Sequence, residues 1–328
     1  MNNRIRAVLT ALMALAIAVS VAACGSSSSG GGSSSGSGGS SGGGKLIKKN
    51  SANASKSITI GSKNFPEQFV LGNIYSEALS AAGYKVKKQL NLGSETVAYK
   101  ALTGGQIDAY PEYTGTALTA FFKEKATDVP KDPNGAFNDL KQKLAAKGIT
   151  ASPHTPFENT YRMGMTKAEA KKVGNPTKIS DLSGKSQNLK VNGYPECEQR
   201  IDCLLGVEKT YGLKFKAFVA SQDPYSTLDK GDADVAFVFT TDAALSTGKY
   251  QVLDDDKHLF PPYNITFMVN TKKLKELGPD AAKVIADVQK PLTNEVMQEL
   301  NSRVVLDKKD PAVVAKEYLQ ESGFIPKG

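Results

Sequence analysis

The chain has 328 residues, 40% hydrophobic and 23% charged, with three cysteines, two histidines, no tryptophan and a formal net charge of +8. This length accommodates two α/β lobes. The lysines are scattered over helix faces such as 167–172 and 272–275, with no basic block interleaved with aromatics, so the charge reads as a solvated surface and no nucleic-acid partner is expected.

Arg4 and Arg6 precede an apolar run, residues 7–19, that is too short to span a bilayer and has the length of a signal-peptide core. Val21-Ala-Ala-Cys24 follows and resembles a bacterial lipobox, in which small residues precede a cysteine that is lipidated and becomes the new N-terminus. The expectation is a signal peptide over 1–23 and lipidation of Cys24. An ordinary cleaved signal with an incidental cysteine is the alternative. Loss of Arg4 and Arg6 with the signal lowers the net charge from +8 to +6. Residues 25–44 are only Ser and Gly and cannot bury a core; twenty such residues form a flexible tether with a root-mean-square span of roughly 25 Å. Polar and basic residues 45–56 extend it, so 24–56 is the expected tether. The domain beyond it is expected outside the cytoplasm, held to the bacterial cell membrane by lipid.

Residues 58–60 read as a strand and 61–65 as the loop leaving it. Pro66 suits a first helical position, and Val70, Ile74 and Ala78 with Leu71, Tyr75 and Leu79 make a broad apolar helix face that Gly83 ends. Residues 84–92 read as a strand, 95–102 as a helix and 107–110 as a buried strand. The polar, aromatic turn Pro111-Glu-Tyr-Thr114 follows, with Gly115 and Thr116 opening a helix. This β-α-β-α-β order implies a parallel sheet. A helix at 134–147, extended segments at 149–153 and 161–165 and a short helix at 167–173 come next. Strands are expected at 189–191, 215–219 and 235–239, with helices at 201–211 and 224–230 between them. A strand at 267–270 and two or three helices from 279 finish the chain.

Two β-α-β systems joined by two crossings, near residues 158 and 263, imply a bilobed protein. Lobe 1 is discontinuous, 57–157 and 264–328, and lobe 2 is 158–263. The segment Leu102-Thr-Gly-Gly-Gln-Ile-Asp-Ala-Tyr110 is echoed by Leu228-Asp-Lys-Gly-Asp-Ala-Asp-Val-Ala236: each is a helix end, a Gly, an Asp and an apolar strand. The echo implies that the lobes offer equivalent strand ends to one cleft, where ligands of open α/β sheets sit.

Tyr113, Tyr161, Phe239 and Tyr263 each stand at or just after a predicted strand or crossing. Ring faces attract cations, by about 0.5–2 kcal/mol per contact, and several around one site select a quaternary ammonium, which donates no hydrogen bonds. Core packing is the alternative for any single ring. Arg200 can grip a carboxylate bidentately, assisted by Lys63 and by the hydroxyl of Thr116 at a helix start. Apart from Cys24, the cysteines are Cys197 and Cys203, six apart. A disulfide closing a short loop is the simplest reading outside the cytoplasm, and a metal site the alternative.

Four stretches carry a family resemblance: Gly61-Ser-Lys-Asn-Phe-Pro-Glu-Gln68, Ile107-Asp-Ala-Tyr-Pro-Glu-Tyr-Thr-Gly-Thr116, Phe239-Thr-Thr-Asp242 and Phe260-Pro-Pro-Tyr-Asn264. The chain resembles the substrate-binding proteins of osmoprotectant ABC importers, the glycine betaine, carnitine and choline receptors with a type II periplasmic-binding fold. The resemblance implies an aromatic box from Tyr113, Tyr161 and Tyr263, with Phe239 where the family has Tyr. It implies a carboxylate-binding Arg at Arg200-Ile-Asp-Cys203, with Cys in place of Gly. Lys63, Thr116 and Asn159 fall at polar contacts of some members. It further implies a monomeric receptor without cofactor or metal, serving an ABC permease and its ATPase. The two departures make a larger betaine such as ergothioneine an alternative ligand. A secreted hydrolase is the alternative from another class. It would need general-base chemistry from His154 or His258 alone, and Gly-x-Ser-x-Gly-like matches occur only in the tether, where no strained elbow forms.

Overall fold

The computed structural model describes residues 46–201 and 203–327. The signal segment, Cys24 and the Ser/Gly tether lie outside the described residues. The first lobe begins with β1 (Ser57–Gly61), α1 (Pro66–Ala81), β2 (Lys85–Gln89), α2 (Glu95–Thr103) and β3 (Ala109–Tyr113), followed by α3 (Pro133–Ala145) and β4 (Ile149–Ala151). The second holds β5 (Tyr161–Thr166), α4 (Lys167–Lys172), β6 (Lys190–Gly193), α5 (Leu204–Tyr211), β7 (Ala217–Ala220), α6 (Pro224–Lys230), β8 (Val235–Phe239) and β9 (Tyr250–Leu253). The chain then returns through β10 (Ile265–Asn270) to α7 (Thr271–Leu277), α8 (Pro279–Gln289), α9 (Asn294–Val305) and α10 (Pro311–Glu321).

The two five-stranded sheets share one topology. Their strand orders are β2-β1-β3-β10-β4 and β7-β6-β8-β5-β9. In each, three strands run parallel as the helix-strand alternation requires. A strand from the other side of a crossing, β10 or β5, then enters antiparallel, so both sheets are mixed. The echoed segments lead into the equivalent strands β3 and β8. Their aspartates do the same work: Asp108 accepts from Thr59 N and Asp234 from Lys190 N, each at 2.7 Å, tying a central strand to its neighbour.

Packing follows from the apolar spacing. In α1, Val70, Leu71, Ile74, Tyr75, Ala78 and Leu79 are fully buried against the first sheet and the C-terminal helices. Residues 46–56, which the sequence places at the end of the tether, lie against this lobe: Ile47 N donates to Phe324 O and its side chain meets the core.

The sequence reading contains no strand at β9, which pairs with β5, and two elements near the cleft differ from it. The strand expected to end at Tyr110 continues through Tyr113, with all five residues of β3 buried. Pro111 and Glu112 read locally as a turn, but β10 pairs with them in register, Phe267 opposite Pro111, and the Glu112 charge is matched internally by Lys63. The helix expected from residue 201 begins at Leu204. The preceding chain folds back on it, so that a Cβ on Gly206 would lie 1.9 Å from Ile201 O. That close approach needs glycine and stops Ile201 from joining the helix.

The two crossings run side by side. Asn159 N donates to Tyr263 O at 3.1 Å, Thr160 Oγ1 to Pro261 O at 3.0 Å, and Glu158 bridges to Asn264.

Candidate functional site

A cleft of about 670 Å³ opens beside the crossings, and it gathers every ligand-contact residue expected from the sequence. Tyr113 and Phe239 are the last residues of β3 and β8, the equivalent strands of the two sheets, and Tyr161 is the first of β5. Asn159 and Tyr263 come from the crossings, Lys63 from the loop after β1, Thr116 from the helical turn after β3, and Arg200 from the loop after β6.

The rings form distinct walls. Tyr161 and Phe239 are register partners across β5 and β8 and stack on each other, with centroids 4.4 Å apart and planes at 29°. No cation fits between rings at that spacing, so they make one composite wall. Tyr113 forms another. Its ring stacks on Phe65 at 6.2 Å, and its hydroxyl donates to Glu67 Oε1 at 2.6 Å. Burial, then the Glu67 charge, holds the Tyr113 phenol well above its ordinary pKa, so it remains a donor. Tyr263 lies against Gly115: a Cβ there would meet Pro262 O at 2.8 Å and Tyr263 Cε1 at 3.0 Å. Glycine at the mouth of that turn thus lets the second crossing, and its ring, approach the first lobe.

Two cationic side chains, Lys63 and Arg200, line the cleft and differ in burial. Lys63 is 4% exposed. Its ammonium pairs with Glu112, which also accepts from Tyr110 OH at 3.0 Å and from Tyr113 N at 2.8 Å. The same ammonium sits 4.3 Å from the centroid of Tyr113. Lys63 therefore lines the cleft with its charge already balanced. Arg200 is exposed, within the loop closed by the Cys197–Cys203 disulfide. The backbone bonds of Arg200 N to Cys197 O and of Cys203 N to Arg200 O tighten that loop. Asn159 directs its amide nitrogen to Glu67 Oε1 at 3.1 Å.

Sequence reasoning missed Phe65, Glu67 and Asp242 as members of this neighbourhood, although all three lie inside the quoted motifs. Asp242 lines the cleft and accepts from Phe239 N at 2.9 Å and Tyr225 OH at 2.8 Å. Burial raises its carboxyl to about 6 against the two hydrogen bonds, which pull the other way.

Aromatic walls, a half-buried carboxylate and an exposed guanidinium around one interlobe cleft suit capture of a small organic ion. Residues 56–321 match the family described as the substrate-binding domain of an ABC-type glycine betaine transport system. The chain belongs to that family.

Among the relatives of this substrate-binding domain, a glycine-betaine-binding protein of Pseudomonas aeruginosa is 31% identical over 287 residues, covering 84% of this chain and 90% of that protein. The ergothioneine transport permease/ergothioneine binding protein EgtU of Helicobacter pylori is 30% identical over 288 residues, covering 85% of this chain but only 50% of its own length. The chain thus spans about half of that relative. In three dimensions it superposes with a TM-score of 0.76 and 29% identity on the crystal structure of a glycine betaine/carnitine/choline ABC transporter protein, covering 80% of this chain and 98% of that one. The fold is the bilobed type II periplasmic-binding fold.

Proposed function

We propose that this chain is an extracytoplasmic receptor that binds a quaternary-ammonium compatible solute of the glycine betaine, carnitine or choline kind and delivers it to an ABC permease. One observation carries the reading: rings from both lobes and from a crossing, Tyr113, Tyr161, Phe239 and Tyr263, line a single cleft. A trimethylammonium group has no donor hydrogens, so ring faces replace its hydration shell at about 0.5–2 kcal/mol each. The Asp242 carboxylate adds negative potential, and Arg200 meets a carboxylate at the solute's other end. Binding draws the lobes together about the paired crossings, and the closed form presents the surface that the permease reads. The chain itself performs no chemistry and acts as a monomer; the ATPase partner supplies the energy. Lipid on Cys24 keeps the receptor at the membrane, on its tether.

Ergothioneine is the second ligand considered, because Phe239 offers a wholly apolar ring face and EgtU is among the relatives. Calorimetric titration of the tetherless domain with glycine betaine, proline betaine, carnitine, choline and ergothioneine tests both. Saturable heat with one of the first four is expected; ergothioneine alone would transfer the site to the second reading, and silence with all five would end the quaternary-ammonium reading.

A further inference from the structure

Glu67 is a buried carboxylate whose bonds reach Tyr113 and Asn159 of the cleft, yet it does not line it. It stands in the first turn of α1, is 3% exposed, and borders a neighbouring cavity of about 550 Å³ on the far side of Asn159 and Asp242. Three donors from three places converge on it. Tyr113 OH and Asn159 Nδ2 reach Oε1 at 2.6 and 3.1 Å, and Asn301 Nδ2 of α9 reaches Oε2 at 2.8 Å. The Asn301 nitrogen also reaches Thr241 O at 2.9 Å, on the loop that leaves Phe239 in the second lobe. One side chain thus joins a cleft ring of lobe 1, the first crossing and, through Asn301, the strand end that carries the opposing wall.

We propose that Glu67 is a positioning residue for cation binding: through its hydrogen bond to Tyr113 it fixes that ring against the second lobe and makes it a stronger partner for a cation. This rests on the quaternary-ammonium reading above. A phenol that donates to a carboxylate is drawn toward phenolate character, and charge-assisted O–H···O⁻ bonds of about 2.5–2.7 Å are the strong ones. Negative density gained by the ring deepens the quadrupole that attracts cations. Lys63, whose ammonium already lies 4.3 Å from the Tyr113 centroid, withdraws from the same π system, and Glu67 on the hydroxyl opposes it. A carboxylate suits this site because all three groups donate to it as they stand. Glutamine would turn an N–H toward one of them.

The test separates charge from shape. Choline and its uncharged isostere 3,3-dimethylbutan-1-ol, and glycine betaine with 3,3-dimethylbutanoate, are titrated into the wild type, Glu67→Gln, Tyr113→Phe and the double variant. The preference for the ammonium-bearing member should fall about tenfold in Glu67→Gln, the scale of one cation–π contact, with the affinity of the neutral alcohol within about twofold. Tyr113→Phe should lower the preference similarly, and the double variant should add nothing, since one path carries both effects. Equal losses for the ammonium ligands and their ammonium-free isosteres, or an unchanged preference, would overturn the proposal. If Glu67→Gln fails to fold, Tyr113→Phe decides in the same way. A wild type that binds no quaternary ammonium defeats the functional reading as well; one that binds it with an unaltered preference in the variants defeats this inference alone.

Discussion

Asp242 holds its carboxylate at the cleft with a single oxygen, Oδ2, accepting from both Phe239 N and Tyr225 OH. Its folded pKa of about 6 exceeds the ordinary 3.8. The fold therefore favours the neutral acid, a contribution present in full below about pH 4 and lost as pH rises through about 6. The full shift corresponds to about 3 kcal/mol. Asn at this position can keep both bonds on its carbonyl oxygen without the charge. Relative to wild type, Asp242→Asn should gain up to about 3 kcal/mol between pH 4 and pH 7 in urea unfolding; a difference constant with pH would show that the charge is not what costs stability. The two ends of the ligand are separable in the same way. Tyr263→Ala should weaken both glycine betaine and choline by about 1–2 kcal/mol in calorimetry. Arg200→Ala should weaken glycine betaine by a similar 1–2 kcal/mol or so but change choline, which has no carboxylate, by less than about 0.5 kcal/mol. Equal losses for both ligands in Arg200→Ala would remove it from the anion end. At this scale the residue types were legible in the sequence, whereas their allegiances were not. Lys63 reads as a free cation because Glu112, forty-nine positions away, becomes its partner only when β1 and β3 lie side by side.

The loop between β6 and α5 carries Arg200 and is closed by Cys197 and Cys203, both essentially unexposed and packed in the second lobe's core. Closing so short a loop stabilises by about 2 kcal/mol in the chain-entropy account. Replacing both cysteines by Ser should lower stability by at least that amount in non-reducing denaturant titrations, and should weaken glycine betaine more than choline, because the loop is what holds Arg200. Unchanged stability would show the bridge to be dispensable. Elements with a continuous apolar stripe, such as α1, were readable from spacing alone, since burial on one face is written into the sequence. The end of β3 was not: Pro111 and Glu112 carry local turn chemistry, and only the pairing with β10, some 150 residues later, makes them strand. The start of α5 was displaced for a similar reason, by the backbone of Ile201 lying on Gly206.

Two sheets of identical strand order face one cleft, linked by crossings that bond to each other and by α9, where Gln298 Nε2 reaches Thr240 O at 2.7 Å. The paired crossings that link the lobes also carry cleft side chains, Asn159 and Tyr263 among them. Expressed in a bacterium that processes lipoproteins, the full chain should partition into the detergent phase of a Triton X-114 extract and its Cys24→Ala variant into the aqueous phase; an aqueous wild type would remove the lipid anchor. The apolar spacing, the Gly-Asp-strand echo and the motif residues were enough to name the two lobes and the walls of the cleft, because local periodicity and side-chain chemistry are properties of the chain itself. That Lys63 is paired with Glu112, that Tyr161 and Phe239 share one wall, and that Glu67 stands behind Tyr113 were decided only by tertiary structure, because each depends on residues brought together across sheets and crossings, where burial and a partner's charge, rather than sequence neighbours, set what a side chain can do.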